Sequence, residues 1–136
     1  LGDVYKRQPE VGLGSTPGFG GTQRLPRLIG ETRAKEMIFT GREITAETAR
    51  EWGLVNGVFT AGSLLEETLN LAEEIARNSP YAVTRAKRSI NGGREMLLEE
   101  ALEWERTLFG ECGESRDRKE GMTAFLEKRP RIFTGE

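Results

Sequence analysis

Pro9-Glu10-Val11-Gly12-Leu13-Gly14-Ser15-Thr16-Pro17-Gly18-Phe19-Gly20-Gly21-Thr22 opens the patterned part of the chain and decides how the rest is read. Glycines at 12, 14, 18, 20 and 21, with prolines at 9 and 17, exclude a regular helix or a central strand. Such a stretch is a loop whose backbone bends sharply or approaches something closely. A phosphate cradle is one candidate for it, and the spacing argues against that. No lysine follows in the Gly-Lys-Ser/Thr position, and Gly12-x-Gly14-x-x-Pro17 breaks the dinucleotide pattern at its third glycine. Glu10 stands at the mouth of the loop, between a proline and an apolar residue. By residue type it is either an ordinary exposed glutamate or a carboxylate fixed by Pro9 beside glycine amides, placed to hold a water or shuttle a proton.

Beyond the loop, helical signals dominate. Residues 23–29 and 33–39 read as short helices, with Gly30 and Gly41 where a helix end favours a left-handed residue. Thr45 can cap a third helix over 46–52, ended by Gly53, and Leu54-Val55-Asn56-Gly57-Val58-Phe59 is the best strand candidate. Ser63 and Glu66 form a capping box ahead of a helix to about residue 77, with Leu64, Leu65, Thr68, Leu71, Ala72, Ile75 and Ala76 on one face. Ser79-Pro80 starts the next helix. It can run to about Gly110, weakened at Gly92-Gly93 by roughly 1 kcal/mol per glycine. Residues 115–127 read as a last helix, and Trp52 and Trp104 as packing residues. Apolar stripes on nearly every helix need a partner surface, so the pattern fits part of a larger α/β subunit better than a stand-alone bundle.

Composition bounds the chemistry. The chain has 136 residues, a net charge of −2 and 31% charged residues, room for one domain or part of one. The absence of a basic excess argues against a nucleic-acid partner. No apolar run approaches the roughly 20 residues of a membrane span, and neither a signal nor a transit peptide is visible. Cys112 is the single cysteine, which leaves no intrachain disulfide and no thiolate cluster, and makes the cytoplasm the expected compartment. Histidine is absent, so Ser-His-Asp and Cys-His catalysis and imidazole metal sites are excluded; no metal site is expected. Acid–base work falls to carboxylates, lysines or tyrosines. Residues 1–8, LGDVYKRQ, begin without methionine, lack pattern and resemble a translated sequencing adapter. They are expected to be a non-native scar, with the protein continuing upstream of Pro9.

The stretch from Pro9 to Leu25 closely resembles the PEVxLGxxPGxGGTQRL segment of the enoyl-CoA hydratase/isomerase (crotonase) family. So do Ala34-Lys35-Glu36-Met37 with Thr40-Gly41, and Ala46, Ala49 and Gly53-Leu54-Val55 at their intervals. Glu120-Gly121-Met122-Thr123-Ala124-Phe125-Leu126-Glu127-Lys128-Arg129 resembles the family's EGMxAFxEKR ending. The likeness runs from residue 9 to about residue 133. It implies the C-terminal part of an α/β ClpP/crotonase-like fold, mostly helical here with one short strand. Residues 9–79 would complete the spiral core, and 80–136 would form the helical trimerisation region.

The resemblance also implies a reaction, hydration of a short-chain 2-enoyl-CoA or dehydration of a 3-hydroxyacyl-CoA, in fatty-acid or butyrate metabolism. Glu10 matches one of two glutamates that hold the reacting water, and a carboxylate there favours hydratase over isomerase chemistry. Gly18 matches a glycine whose backbone lies against the same water and the acyl group, and Pro9, Leu13 and Pro17 are expected to be substrate-binding. Phe109, Phe125 and Lys128 match positions near the adenine end of CoA, the last two reaching it from a neighbouring subunit. On type alone Gly18 is a turn glycine, Phe109 and Phe125 are core residues and Lys128 is a solvated charge. The second glutamate and the oxyanion N–H donors would lie upstream, so this chain alone is expected to be inactive. No separate cofactor is implied, since the CoA thioester is the substrate, and the intact protein would be a homotrimer or dimer of trimers. Isomerase, thioester-hydrolase and ring-forming synthase chemistries share this region. A non-catalytic helical oligomerisation module is the reading from outside enzymology.

Overall fold

The computed structural model describes residues 5–136, so residues 1–4 of the expected leader lie outside the described residues. The chain forms two compact units, divided between Glu67 and Thr68.

The first unit opens with β1 (Tyr5–Lys6), which pairs antiparallel with β2 (Ile44–Thr45) in register Tyr5↔Thr45 and Lys6↔Ile44. The exclusion of residues 1–8 from the fold therefore leaves out a pairing partner of β2. Between the strands lie a 3-10 turn (Glu10–Leu13), α1 (Gly21–Ile29) and α2 (Glu31–Thr40). α3 (Ala46–Glu51) follows β2. The small core is made by Ile29, Ala34, Met37, Ile38 and Ala49. α2 ends at Gly41, whose left-handed φ of 60° lets its N–H reach the Met37 carbonyl. Thr45 caps α3 as its type predicts, accepting the Thr48 N–H at 3.1 Å.

The segment 54–59 is not a strand. Gly53 turns left-handed after α3, and the Leu54 N–H donates to the Ala49 carbonyl at 2.8 Å. The amide that a ladder would need is spent on closing the helix. Further on, the Phe59 ring folds onto Gly57, occupying the space a Cβ there would need.

α4 (Leu64–Ala76) carries the expected apolar stripe, yet none of its residues is buried, and Leu65, Leu69, Leu71 and Ile75 are exposed. The expected long helix from Pro80 is two helices, α5 (Pro80–Gly93) and α6 (Leu98–Glu114), packed against each other. The glycine pair is where the chain turns. A Cβ on Gly92 would stand 2.9 Å from the Trp104 indole nitrogen, so the missing side chain is what admits the ring. The Trp104 N–H reaches the Arg88 carbonyl at 3.4 Å. The two helices are tied further by Arg85 of α5, which meets Glu111 of α6 at 3.0 Å; within α5 its guanidinium lies 3.5 Å from the Tyr81 ring centroid. α7 (Arg116–Glu127) is capped by Ser115. Leu108, Ala124, Ser79, Ser115 and Asp117 are the buried residues of this unit.

Candidate active site

The glycine-rich loop is built from consecutive turns. Pro9 stands at the N-terminus of the 3-10 turn, and its carbonyl accepts the Gly12 N–H at 3.0 Å. Gly14 adopts φ 75°, ψ 20°; its N–H reaches Val11 at 3.1 Å, and the Ser15 N–H reaches the Glu10 carbonyl at 3.0 Å. This pair of bonds closes a helical turn with a left-handed residue, which fixes the Glu10 backbone from both sides. Pro17 is buried, and α1 starts against it: a Cβ on Gly21 would lie 2.7 Å from the Pro17 ring and 2.8 Å from the Gln8 amide. The loop is thus folded back on itself, with Arg24 donating to the Phe19 carbonyl at 2.6 Å to brace the turn.

Within this frame the Glu10 carboxylate departs from the exposed-glutamate alternative. Its Oε2 is buried and has no hydrogen-bond partner among the described residues. Buried carboxylate oxygens are ordinarily satisfied, because an unmet acceptor costs free energy. Gly18 is exposed, and a Cβ there would meet only the Thr16 carbonyl, at 3.9 Å. Its φ is not left-handed either. Neither turn geometry nor crowding within the described residues demands glycine at that position. Leu13 projects from the loop with 83% of its surface exposed.

Phe109, Phe125 and Lys128 belong to the second unit. Neither aromatic packs into the core of this unit: they are 73% and 79% exposed. Phe109 borders an open, apolar groove of about 280 Å³ between α5 and α6, with Ala82, Ala86 and Ile90. Phe125 lies in the last turn of α7, and Lys128 caps that helix in a left-handed conformation, φ 54° and ψ 37°. Among the described residues, no group of three or more histidine, cysteine, aspartate or glutamate side chains is gathered as a metal would require.

Two further carboxylates were not picked out as site residues from the sequence, although Glu120 stands in the family-like C-terminal stretch. Asp117, 2% exposed, accepts from Ser79 Oγ at 2.6 Å and from the N–H groups of Thr134 and Gly135 at 2.8 and 3.1 Å. Burial is the strongest influence and pushes its pKa up. The hydrogen bonds from Ser79, Thr134, Gly135 and Tyr81 together outweigh it and hold the carboxyl below the ordinary aspartate range. Glu120 takes a two-pronged bond from Arg129, at 2.7 and 2.8 Å, and the Ile132 N–H at 2.8 Å. Those bonds, Arg129's first, hold its pKa down to about 2. The spacing of Glu120 and Arg129, nine positions apart across a helix end, carries no periodic signal that would have paired them.

The described residues thus hold a glutamate with an unmet buried oxygen in a glycine-rich loop of the first unit and, in the second unit, two exposed aromatics, Phe109 and Phe125. Residues 5–136 match the enoyl-CoA hydratase/isomerase family, and the chain belongs to that family. It is 49% identical over 122 residues to a short-chain-enoyl-CoA hydratase of Clostridium acetobutylicum, covering 90% of this chain and 47% of the relative. It is 48% identical over 126 residues to a crotonyl-CoA hydratase of Syntrophomonas wolfei, covering 93% and 48%. Its fold superposes on the crystal structure of an enoyl-CoA hydratase from Bacillus anthracis with a TM-score of 0.89 and 46% identity, covering 94% of this chain and 50% of that one. The fold is the C-terminal part of the crotonase fold, and the chain spans about half the length of these relatives.

Proposed function

We propose that the whole protein carrying this chain is a lyase that hydrates short-chain 2-enoyl-CoA thioesters, or runs the reverse dehydration of 3-hydroxyacyl-CoA. The observation that carries this reading is the Glu10 carboxylate, whose Oε2 is buried without a partner among the described residues. Hydration of the double bond places the water oxygen on C3 and a proton on C2. A carboxylate can accept the water's proton as the C–O bond forms and return a proton to carbon, provided it is held close and poorly solvated. The turns that close around Gly14 and Pro17 do the holding. Pro9, Leu13, Pro17 and Gly18 would line the acyl end, where the open space beside Gly18 lets substrate approach the backbone.

Phe109 and Phe125 offer exposed ring faces for adenine, and Lys128 a cation for phosphate. The chain spans about half of its relatives, and the second glutamate and the oxyanion N–H donors would come from the rest of the whole protein. Residues 9–79 then complete the catalytic core and 80–136 the trimer region, where exposed Met122, Phe125 and Leu126 favour burial against other copies. No cofactor other than the CoA of the substrate enters this scheme, and the cytoplasm suits its single cysteine.

The test is hydration of crotonyl-CoA by the whole protein and by its Glu10→Gln variant. A loss of about 10²–10⁴-fold in kcat, with the fold intact by circular dichroism, is expected for a group that moves a proton in the transition state. Undiminished turnover by Glu10→Gln would overturn the assignment. The 136-residue chain on its own is expected to show no turnover above its Glu10→Gln control.

A further inference from the structure

Lys128 is the one non-glycine residue with positive φ among the described residues. It occupies the left-handed position that ends α7: its N–H donates to the Phe125 carbonyl at 3.3 Å, and the Arg129 N–H to the Ala124 carbonyl at 3.0 Å. Glycine is the usual occupant of that position, because a Cβ strains it, and an unforced lysine there calls for something that holds it. The holder is the next residue. The Arg129 guanidinium is gripped on one edge by both oxygens of Glu120 and bonded through Nε to Glu127 at 2.7 Å. Glu120 also takes the Ile132 N–H, so the chain leaving α7 is pinned on both sides of the turn. The turn sorts two adjacent cations. Arg129 is folded back and neutralised, while Lys128 is exposed and makes no ion pair among the described residues.

We propose that Glu120, acting through Arg129, is a positioning residue that sets the Lys128 ammonium for the phosphate groups at the nucleotide end of an acyl-CoA. This rests on the role given to Lys128 above. A planar, two-pronged Arg–carboxylate pair is suited to the task, since it fixes orientation as well as distance. Its low-lying Glu120 pKa keeps the grip intact across the working pH range.

The experiment compares crotonyl-CoA with crotonyl-pantetheine, which lacks the nucleotide, in the whole protein. Glu120→Gln is expected to raise KM for crotonyl-CoA by about tenfold, with kcat within about twofold and both constants for crotonyl-pantetheine unchanged. Lys128→Met should reproduce that pattern, and the double variant should be no worse than either alone. If Lys128→Met leaves KM for crotonyl-CoA unmoved, the phosphate-binding role of Lys128 fails and this inference falls with it. If Lys128→Met acts and Glu120→Gln does not, or impairs both substrates alike, the phosphate role stands and the positioning role is overturned. Should Glu120→Gln not fold, Arg129→Lys keeps the charge but not the fork; a smaller rise in the same KM supports the proposal, and an unchanged KM refutes it.

Discussion

Replacing Asp117 with alanine should release the C-terminal segment while α5 and α6 stay folded. The carboxylate is 2% exposed and receives the Ser79 hydroxyl at 2.6 Å, the Thr134 N–H at 2.8 Å and the Gly135 N–H at 3.1 Å, with the Tyr81 N–H as a fourth donor. Hydrogen bonds to a charged group contribute about 1.5–3 kcal/mol each, and burying the charge costs several kcal/mol in the opposite direction. The net loss should be about 3 kcal/mol, somewhat more than a hundredfold in the local opening equilibrium. Amide exchange followed by NMR reads it directly. Thr134 and Gly135 should exchange slowly in the parent protein and at least about a hundredfold faster in Asp117→Ala, with the Leu108 amide unchanged.

Asp117→Asn keeps one acceptor oxygen and should lose about half as much. Acid gives an independent check. The carboxyl titrates below its ordinary value of 3.8, so the stability it contributes is complete above that value and is lost only as pH falls through the lower folded-state pKa. Thr134 and Gly135 should therefore remain protected at pH 4 and lose protection on further acidification, a step absent from Asp117→Asn. Protection at Thr134 and Gly135 that survives in Asp117→Ala would refute the reasoning, since the segment would then be held by something else.

The glycine pair between α5 and α6 should respond asymmetrically. Gly92→Ala drives a Cβ to 2.9 Å from the Trp104 indole and should cost about 1–3 kcal/mol by urea denaturation, as overpacking does. Gly93→Ala meets only the Ala101 methyl at 3.5 Å and should be neutral or stabilising by up to about 1 kcal/mol. Thr45→Ala removes the cap on the Thr48 N–H and should lower stability by about 1 kcal/mol in the same assay, whereas Thr45→Ser should not.

Local signals in the sequence located most elements and left their neighbours undetermined. Gly30, Gly41, Thr45, Gly53, Ser79 and Pro80 each punctuate a helix where their backbone or side-chain chemistry says they should. Leu54–Phe59 misled because β-branched composition reports burial and stiffness, while its fate was decided by one amide turned back to Ala49. Gly92-Gly93 registered as a weak spot, but propensity alone cannot separate a kink from a turn; Trp104, twelve residues on, decides it. Glu10 was legible as a candidate from its loop, yet the buried oxygen that sets it apart depends on three-dimensional surroundings. Phe109 and Phe125 were ambiguous for the same reason, since an aromatic on a helix reads alike whether it faces a core or a solvent-facing groove.

The unmet oxygen of Glu10 has a consequence for anyone seeking a hardier protein. A buried acceptor without a donor weakens the fold that contains it, by about 1–3 kcal/mol. Methionine or leucine at this position would remove that penalty, so a screen rewarding heat resistance alone would tend to discard the carboxylate first. Under the reaction proposed for Glu10, fold and catalysis would pull this loop in opposite directions, and a selection that demands turnover would be needed to keep the carboxylate in place.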